Sequence, residues 1–470
     1  MQFLDREREM SRLETFARRA EGGLAVVWGR RRVGKTRLLL EWGRRHDGLY
    51  TVADQSAAIV QRRYLAESLA GRFPGFAEVD YPDWRSLFRA VARAARQRTW
   101  RGPLILDEFP YLAASDPGLA SVLQAWIDHE AAEAHLLVVL AGSAQHMMQG
   151  LVLEESAPLY GRASEILPLA PLPPSCLRRA LKLRKATDVV RAFAAWGGIP
   201  RYWELAQPAR SDLDSALDAL VFDPLGPLHR EPERLLSADL PSSLALRPLL
   251  DAVGAGAHRP SEIAGRLGMP LTSLSKPLAR LVQLGLLRRE QPLGDSERGG
   301  KKTLYKIEDP FLRLWFRVVA PHQSQLSVAT PAQRLALWRR HEGVLLSQVW
   351  EDLCRSSVPG LSRCVPALRA HGAFLPAGRV WGSGGPEWDV VSLSEDGQAL
   401  LLGECKWQAR RPSAATQRKI VESLVEKGRP RGKRFAEPRL VHAVFAPFAP
   451  TARKDALWID VDGVLAGLEA

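Results

Sequence analysis

Leu24 to Trp42 reads LAVVWGRRRVGKTRLLLEW, and the order of its three parts decides the fold. LAVVW is a short apolar run suited to a strand buried on both faces. GRRRVGKT has the G-x-x-x-x-G-K-[ST] spacing of a phosphate-binding loop, and apolar residues at helical spacing follow it. A strand passing through such a loop into a helix leaves backbone N–H groups and a helix N-terminus around an anion. Gly29 and Gly34 permit the turn and the close approach. Lys35 is expected to reach the outer phosphates and Thr36 to ligate magnesium, with Arg30, Arg31, Arg32, Val33 and Arg37 lining the same loop. The class predicted is α/β, with a parallel sheet.

Two further strands complete the expected nucleotide site. PLILDEF, Pro103 to Phe109, is an apolar strand ending in two acids. Asp107 would stand beside magnesium through its water shell, and Glu108 would polarise the attacking water as general base. HLLVVLAGSAQHMM, from His135, ends in Gly142 and Ser143; the serine either senses the outer phosphate or caps a helix.

The chain has 470 residues, 46% hydrophobic and 25% charged, so it should divide into several domains of ordinary globular composition. Its net charge of +13 comes mostly from arginine and favours a polyanionic partner. The four cysteines lack CxxC spacing, which implies neither a disulfide framework nor a zinc site. MQFLDREREM is a charged start, and the apolar run Leu136 to Gly142 is too short to span a bilayer, so a cytoplasmic location is expected.

FLDREREMSRL, GRRRVGKT, LILDEF, LAGSAQHM, PLYGRASEILPL from Pro158 and GGIPRYW from Gly197 resemble, in that order, the archaeal-type P-loop ATPases of the AAA-like STAND group. The resemblance implies that Arg6 and Glu7 lie near the adenine, that Gly198 to Pro200 packs on the nucleotide, and that Arg162 stabilises charge. Chemistry alone makes GGIP a turn and Arg162 a solvated cation. If Arg162 acts on a neighbouring copy's nucleotide, a homo-oligomer is required; if it acts within the chain, a monomer suffices.

RPSEIAGRLGMPLTSLSKPLARLVQLGLL, Arg259 to Leu287, reads as helix, turn, helix, with Ile263, Leu267, Leu271, Leu274, Leu278, Leu281 and Leu284 at helical spacing. LLRREQPLGDSERGGKKTLYKIED then reads as two strands and a polar loop, and the order predicts a winged helix. In a DNA-bound reading Thr272, Ser273, Ser275, Lys276 and Arg280 face the major groove, while Arg298, Lys301 and Lys302 meet phosphates. The other reading is a connector that relays the state of the ATPase.

Further on come DPFLRLWFRVVAP, a linking helix, and HEGVLLSQVWEDLC, an amphipathic helix. The hairpin GPEWDVVSLSEDGQALLLGECKW, Gly385 to Trp407, a basic helix (TQRKIVESLVEK) and a strand (RLVHAVFAPF) follow. This order resembles the PD-(D/E)xK nucleases, with Asp389 on one strand and Glu404 and Lys406 as the E-x-K of the next. Phosphodiester cleavage needs a hard cation on oxygen ligands and a nearby ammonium group. At period two, Glu404 and Lys406 project together with Asp389 opposite, and Cys405 points the other way. Glu351 is a further ligand by resemblance, Glu387 shares the face of Asp389, and Gln417 and Lys419 would touch substrate. From Lys406 to Arg439 there are eleven Lys or Arg residues against three acids, which suits a phosphate track. The chain as a whole resembles archaeal-type ATPases that carry a C-terminal domain of unknown function with a nuclease-like core.

The expected domains are an ATPase core at 1–168, a helical subdomain at 169–235, a winged helix at 236–310, a linking helix at 311–340 and a nuclease-like domain at 341–470. The expected function is an ATP-hydrolysing switch, using ATP and Mg2+, that controls DNA binding and metal-dependent cleavage. A STAND-type scaffold with an inactive C-terminal domain and a winged-helix transcriptional regulator are the alternatives.

Overall fold

The computed structural model describes residues 4–143, 145–155, 157–239, 246–295, 302–382, 385–408, 410–448 and 456–469. Two compact units account for them: one runs up to Pro171 and takes in Ile199–Arg201, and the other holds Leu172–Gly198 and the chain from Tyr202.

The first unit is built on five strands: β1 (Gly23–Trp28), β2 (Leu49–Val52), β3 (Leu104–Asp107), β4 (Leu137–Gly142) and β5 (Ala163–Pro168). They lie in the order β2-β3-β4-β1-β5, every pair parallel. Alternation along β1 explains why both faces are covered. Leu24 and Val26 join the core under the helices Ala58–Ala70 and Trp84–Gln97, while Ala25 and Val27 join the core under Glu7–Ala17 and Lys35–Arg45. Because the strands are parallel, the loops after β1, β3 and β4 all emerge at one edge, where ligands of open α/β sheets bind.

In the second unit, helices Arg247–Gly254, Pro260–Leu267 and Ser275–Gln283 precede an antiparallel pair, β6 (Leu287–Glu290) and β7 (Leu304–Ile307). Ile263, Leu274, Leu278, Leu281, Leu287 and Ile307 are buried there. Leu271, placed by periodicity in that core, is instead 53% exposed. It opens the short turn Leu271–Leu274, which has three residues per turn and breaks the helical phase.

Five more strands, β8 (Gly378–Val380), β9 (Trp388–Leu393), β10 (Ala399–Cys405), β11 (Arg439–Phe445) and β12 (Leu457–Ile459), form a mixed sheet in the order β12-β11-β10-β9-β8. The hairpin β9–β10 is antiparallel, while β10–β11 and β11–β12 are parallel. One face packs on the helices Pro331–Cys364 and Val461–Glu469, the other on Ala414–Glu426. The first two of those helices approach so closely that a Cβ at Gly360 would lie 2.1 Å from the Gly467 carbonyl oxygen.

Two expected boundaries do not coincide with breaks in the structure. The division at 340/341 falls inside the 34-residue helix Pro331–Cys364, whose Thr330 cap accepts a hydrogen bond from the Gln333 N–H. The division at 235/236 falls inside the helix Glu231–Asp239. The helices expected as a separate subdomain pack elsewhere: Ala186, Val189 and Val190 are buried with Val349, Trp350 and Leu353 of the long helix.

Candidate functional sites

At the carboxyl edge of the first sheet the phosphate-binding loop runs from Gly29 to Gly34. A Cβ at Gly29 (φ +155°) would meet the Leu169 carbonyl oxygen at 2.6 Å, so glycine is required where the loop turns over β5. Lys35 is buried, and its Nζ donates to the carbonyls of Gly29 at 2.8 Å and Arg30 at 3.1 Å, which holds the ammonium across the mouth of the loop. Arg31 hydrogen-bonds the Tyr111 hydroxyl. Arg32 and Arg37 are exposed beside the same loop.

Thr36 and Asp107 come together as expected: the Thr36 hydroxyl donates to Asp107 Oδ2 at 2.8 Å. Tyr50, which the sequence reading missed, donates to the same oxygen at 2.7 Å, and the Glu108 N–H donates to Oδ1 at 2.9 Å. Burial, then the charge of Asp107, pushes the Tyr50 phenol well above its ordinary range, so it stays a donor. Thr36 and Asp107 together offer the oxygen donors that suit a hard cation.

Glu108 follows β3 in a left-handed conformation, φ 53° and ψ 37°. This costs about 1–2 kcal/mol for a residue with a side chain. The conformation turns its carboxylate towards β4, where the Ser143 hydroxyl donates at 2.8 Å and the Ser143 N–H at 3.2 Å. Ser143 thus lies at the tip of β4 and holds the carboxylate expected to act as base.

Arg6 is buried and structural. Its guanidinium donates to the Val33 carbonyl at 3.0 Å and the Ala170 carbonyl at 2.7 Å, and pairs with Glu9 at 2.9 Å, so it pins the phosphate loop from behind. Pro200 opens the helix Pro200–Ala206 and groups with this unit, while the Gly198 carbonyl accepts from the Leu172 N–H at 2.8 Å.

Arg162 does not join this cradle. Ala163 pairs with Leu24, at the amino end of parallel β1, whereas the loop leaves the carboxyl end after Trp28. At about 3.3 Å per residue the intervening strand sets Arg162 roughly 15 Å from Gly29, beyond the reach of its side chain. Arg162 pairs instead with Asp128 at 2.9 Å.

In the second unit, β9 and β10 bring Asp389, Glu404 and Lys406 to one end of the hairpin. Between Gly378↔Val391 and Val380↔Trp388, β9 uses one residue more than β8, a bulge of the kind that re-aims side chains. Asp389 lies within it, and its Oδ2 accepts from the Cys405 N–H at 2.9 Å. Lys406 donates to Glu404 Oε1 at 2.7 Å. Lys427, absent from the sequence reading, donates to Glu404 Oε2 and to the Glu387 carbonyl at 2.7 Å. Cys405 faces the opposite core, as expected.

Electrostatics separates these acids. Burial, then the Asp389 charge, pushes the Glu351 carboxyl up. Burial pushes Asp389 up as well, with the Glu404 charge adding and the Cys405 N–H opposing. Burial also acts on Glu404, but hydrogen bonds from Lys406 and Lys427 outweigh it and hold the carboxyl below the usual range. Among the described residues no three His, Cys, Asp or Glu side chains converge at metal-binding distances. Two of the lesser candidates fall away. Gln417 is buried and donates to the Pro412 carbonyl at 3.0 Å, and the Glu387 side chain turns to Arg379. Lys419 is exposed.

Behind this site is a charge network. Asp352 is half-buried and pairs with Arg288 and Arg355, each at 2.5 Å, and with Arg313 at 2.7 Å; Glu290 pairs with Lys306 at 2.8 Å. Although burial opposes ionisation, Arg313, Arg288 and Arg355 hold the Asp352 carboxyl well below the usual range. The Arg355 guanidinium also donates to the Asp389 carbonyl at 3.1 Å. The network therefore runs from the β6–β7 hairpin to the Asp389 backbone.

Of the expected DNA contacts, Thr272, Ser273, Ser275 and Lys276 are exposed, and Arg280 is half-buried. The Ser273 hydroxyl donates to the Pro270 carbonyl at 2.7 Å, and Lys302 pairs with Asp295 at 2.9 Å. Arg298 and Lys301 lie outside the described residues. No described helix is long and apolar enough to cross a membrane.

Comparison with known proteins agrees with the geometry of the first unit. Residues 3–205 match a family described as an ATPase domain predominantly from Archaea, and residues 315–420 match DUF234, archaeal and bacterial proteins of unknown function. An uncharacterised protein of Methanocaldococcus jannaschii is 25% identical over 410 residues, covering 86% of this chain and 88% of that protein. A Walker-type ATPase of Pyrococcus abyssi shares the fold at a TM-score of 0.53 and 19% identity, over 67% of this chain and 96% of its own. The Aeropyrum pernix ORC2 protein aligns at a TM-score of 0.45 and 16% identity, over 70% of this chain and 96% of its own. The chain is therefore similar, in order, to an archaeal-type ATPase domain over residues 3–205 and to DUF234 over residues 315–420.

Proposed function

We propose that this protein is an ATP-hydrolysing switch that controls a DNA-binding winged helix and a C-terminal domain acting on phosphodiesters. The observation that carries the ATPase half is the meeting of Lys35, the Thr36–Asp107 pair and the Glu108–Ser143 pair at one sheet edge. Lys35 exchanges its loop carbonyls for the outer phosphates. Thr36 and Asp107 would hold Mg2+, which neutralises phosphate charge when bound. Glu108, oriented by Ser143, accepts the proton of the attacking water. Arg162 lies on the wrong edge for its own nucleotide, which supports a homo-oligomer in which it serves a neighbour's.

Helices Pro260–Leu267 and Ser275–Gln283 with the β6–β7 hairpin support the winged-helix reading, and the exposed Thr272, Ser275 and Lys276 suit a groove contact. In the C-terminal domain Asp389 and Glu404 would hold a divalent cation, an arrangement in which one or two carboxylates and substrate phosphate suffice for magnesium. The cation would polarise the phosphodiester. Lys406 and Lys427 orient Glu404 and meet the charge of the phosphate.

A second reading rests on those lysines. With both oxygens of Glu404 held, the domain binds nucleic acid without cutting it, as a scaffold would. Purified protein and its Lys406→Ala variant, given linear, supercoiled and single-stranded DNA with Mg2+ or Mn2+, with and without ATP, separate the two readings. The nuclease reading expects strand cleavage that the variant loses; intact DNA under every condition, with ATP still hydrolysed, leaves the scaffold.

A further inference from the structure

A cavity in the second unit opens where three parts of the chain meet. The β6–β7 hairpin contributes Arg288 and Lys306, the segment after Pro310 contributes Arg313 and Arg317, and the long helix contributes Gln348; His258 lies at its wall. Four cationic side chains thus line one small space.

Their carboxylate partners do not match them in number. Arg288 and Arg313 share Asp352, Arg288 also approaches Glu308 at 3.7 Å, and Lys306 pairs with Glu290 at 2.8 Å. Arg355 draws on Asp352 and also on Glu351 at 3.6 Å, and Arg379 approaches Glu290 at 3.7 Å while pairing with Glu387, so the cation left over is Arg317. Arg317 is half-buried and has no carboxylate partner among the described residues. His258 Nδ1 lies 3.1 Å from the Tyr305 carbonyl, which only accepts, so that nitrogen carries the proton. A guanidinium taken partly out of water without a counter-charge is unfavourable, and an oxyanion matches its forked donors. The apolar part of the lining, Val253, Ile307 and Leu345, leaves the cations as the groups that define the ligand.

We propose that this cavity binds a phosphate group, as free phosphate or as the terminal phosphomonoester of a nucleotide, with Arg317 as its principal contact. The site is separate from the phosphate loop and from the Asp389–Glu404 pair. Because its walls come from the hairpin and the long helix, an occupied cavity ties the two together through one anion.

The test uses the full chain carrying Lys35→Ala, which removes the phosphate loop as a competing site. Inorganic phosphate is titrated at constant ionic strength, with chloride as control, and followed by thermal unfolding and by 31P line broadening. A saturable response is expected, weakened at least tenfold by adding Arg317→Gln. Should that variant fail to fold, Gln348→Leu replaces it under the same criterion. AMP binding tenfold more tightly than phosphate identifies the nucleotide source; equal affinity identifies the free ion. No saturable response in the Lys35→Ala protein, or an equal one after Arg317→Gln, overturns the proposal.

Discussion

The Ser143 hydroxyl lies 2.8 Å from the Glu108 carboxylate, at the tips of two neighbouring parallel strands. If Ser143 aims the base, its loss should affect turnover more than binding. Ser143→Ala is predicted to lower kcat for ATP about tenfold and to change KM less than about threefold. Steady-state phosphate release checks this; an unchanged kcat would show that Glu108 needs no aiming.

The position of Arg162 makes a different kind of prediction. Lys35→Ala subunits keep an intact arginine, and Arg162→Ala subunits keep an intact phosphate loop. Each alone should be inactive, and mixing them should restore part of the ATPase rate. Addition without recovery would remove Arg162 from the reaction between copies.

Asp389 and Glu404, neighbours on the hairpin, should respond to pH with opposite signs. A carboxyl whose folded pKa is raised disfavours folding once ionised, so the penalty grows as pH climbs above the unfolded value, 3.8 for Asp389. Asp389→Asn, which retains an acceptor for the Cys405 N–H, should raise Tm at pH 7 and leave it unchanged in acid. Glu404 is the reverse: its lowered pKa gives stability that is present above 4.5 and lost as pH falls through the folded value. Glu404→Gln should therefore lower Tm at pH 7 and lose its effect in acid. Thermal scans of both variants across this range decide the matter.

Removing the centre of the buried network should be severe. Asp352→Asn leaves Arg288, Arg313 and Arg355 without the carboxylate they share. Breaking a buried ionic cluster on one side costs about 3–5 kcal/mol, and the partial exposure of Asp352 and Arg288 places this loss at or below the lower end of that range. Denaturant unfolding of the variant should show a loss of that order in the transition of the second unit.

What was legible in the sequence was contiguous. GRRRVGKT and LILDEF each place their chemistry within a few residues of a strand end, so strand periodicity fixes where the side chains go. The meeting of Glu404, near the end of β10, with Lys406 just after it was readable for the same reason. Tyr50 and Lys427 were not, because each reaches its carboxylate from a different strand or helix, 57 and 23 positions away. The choice between the two readings of Arg162 was not legible, because it needs the strand register, which sets Arg162 at the opposite edge of the sheet from the phosphate loop. The boundary at 340/341 rests on reading HEGVLLSQVWEDLC as a new helix, yet that stretch continues a helix that begins at Pro331.

Asp352 also says how the chain can be divided. A fragment beginning at His341 would keep Asp352 and Arg355 but leave Arg288 and Arg313 behind, so the C-terminal sheet would start its independent life with an injured core. The smallest self-sufficient piece therefore has to begin before the β6–β7 hairpin.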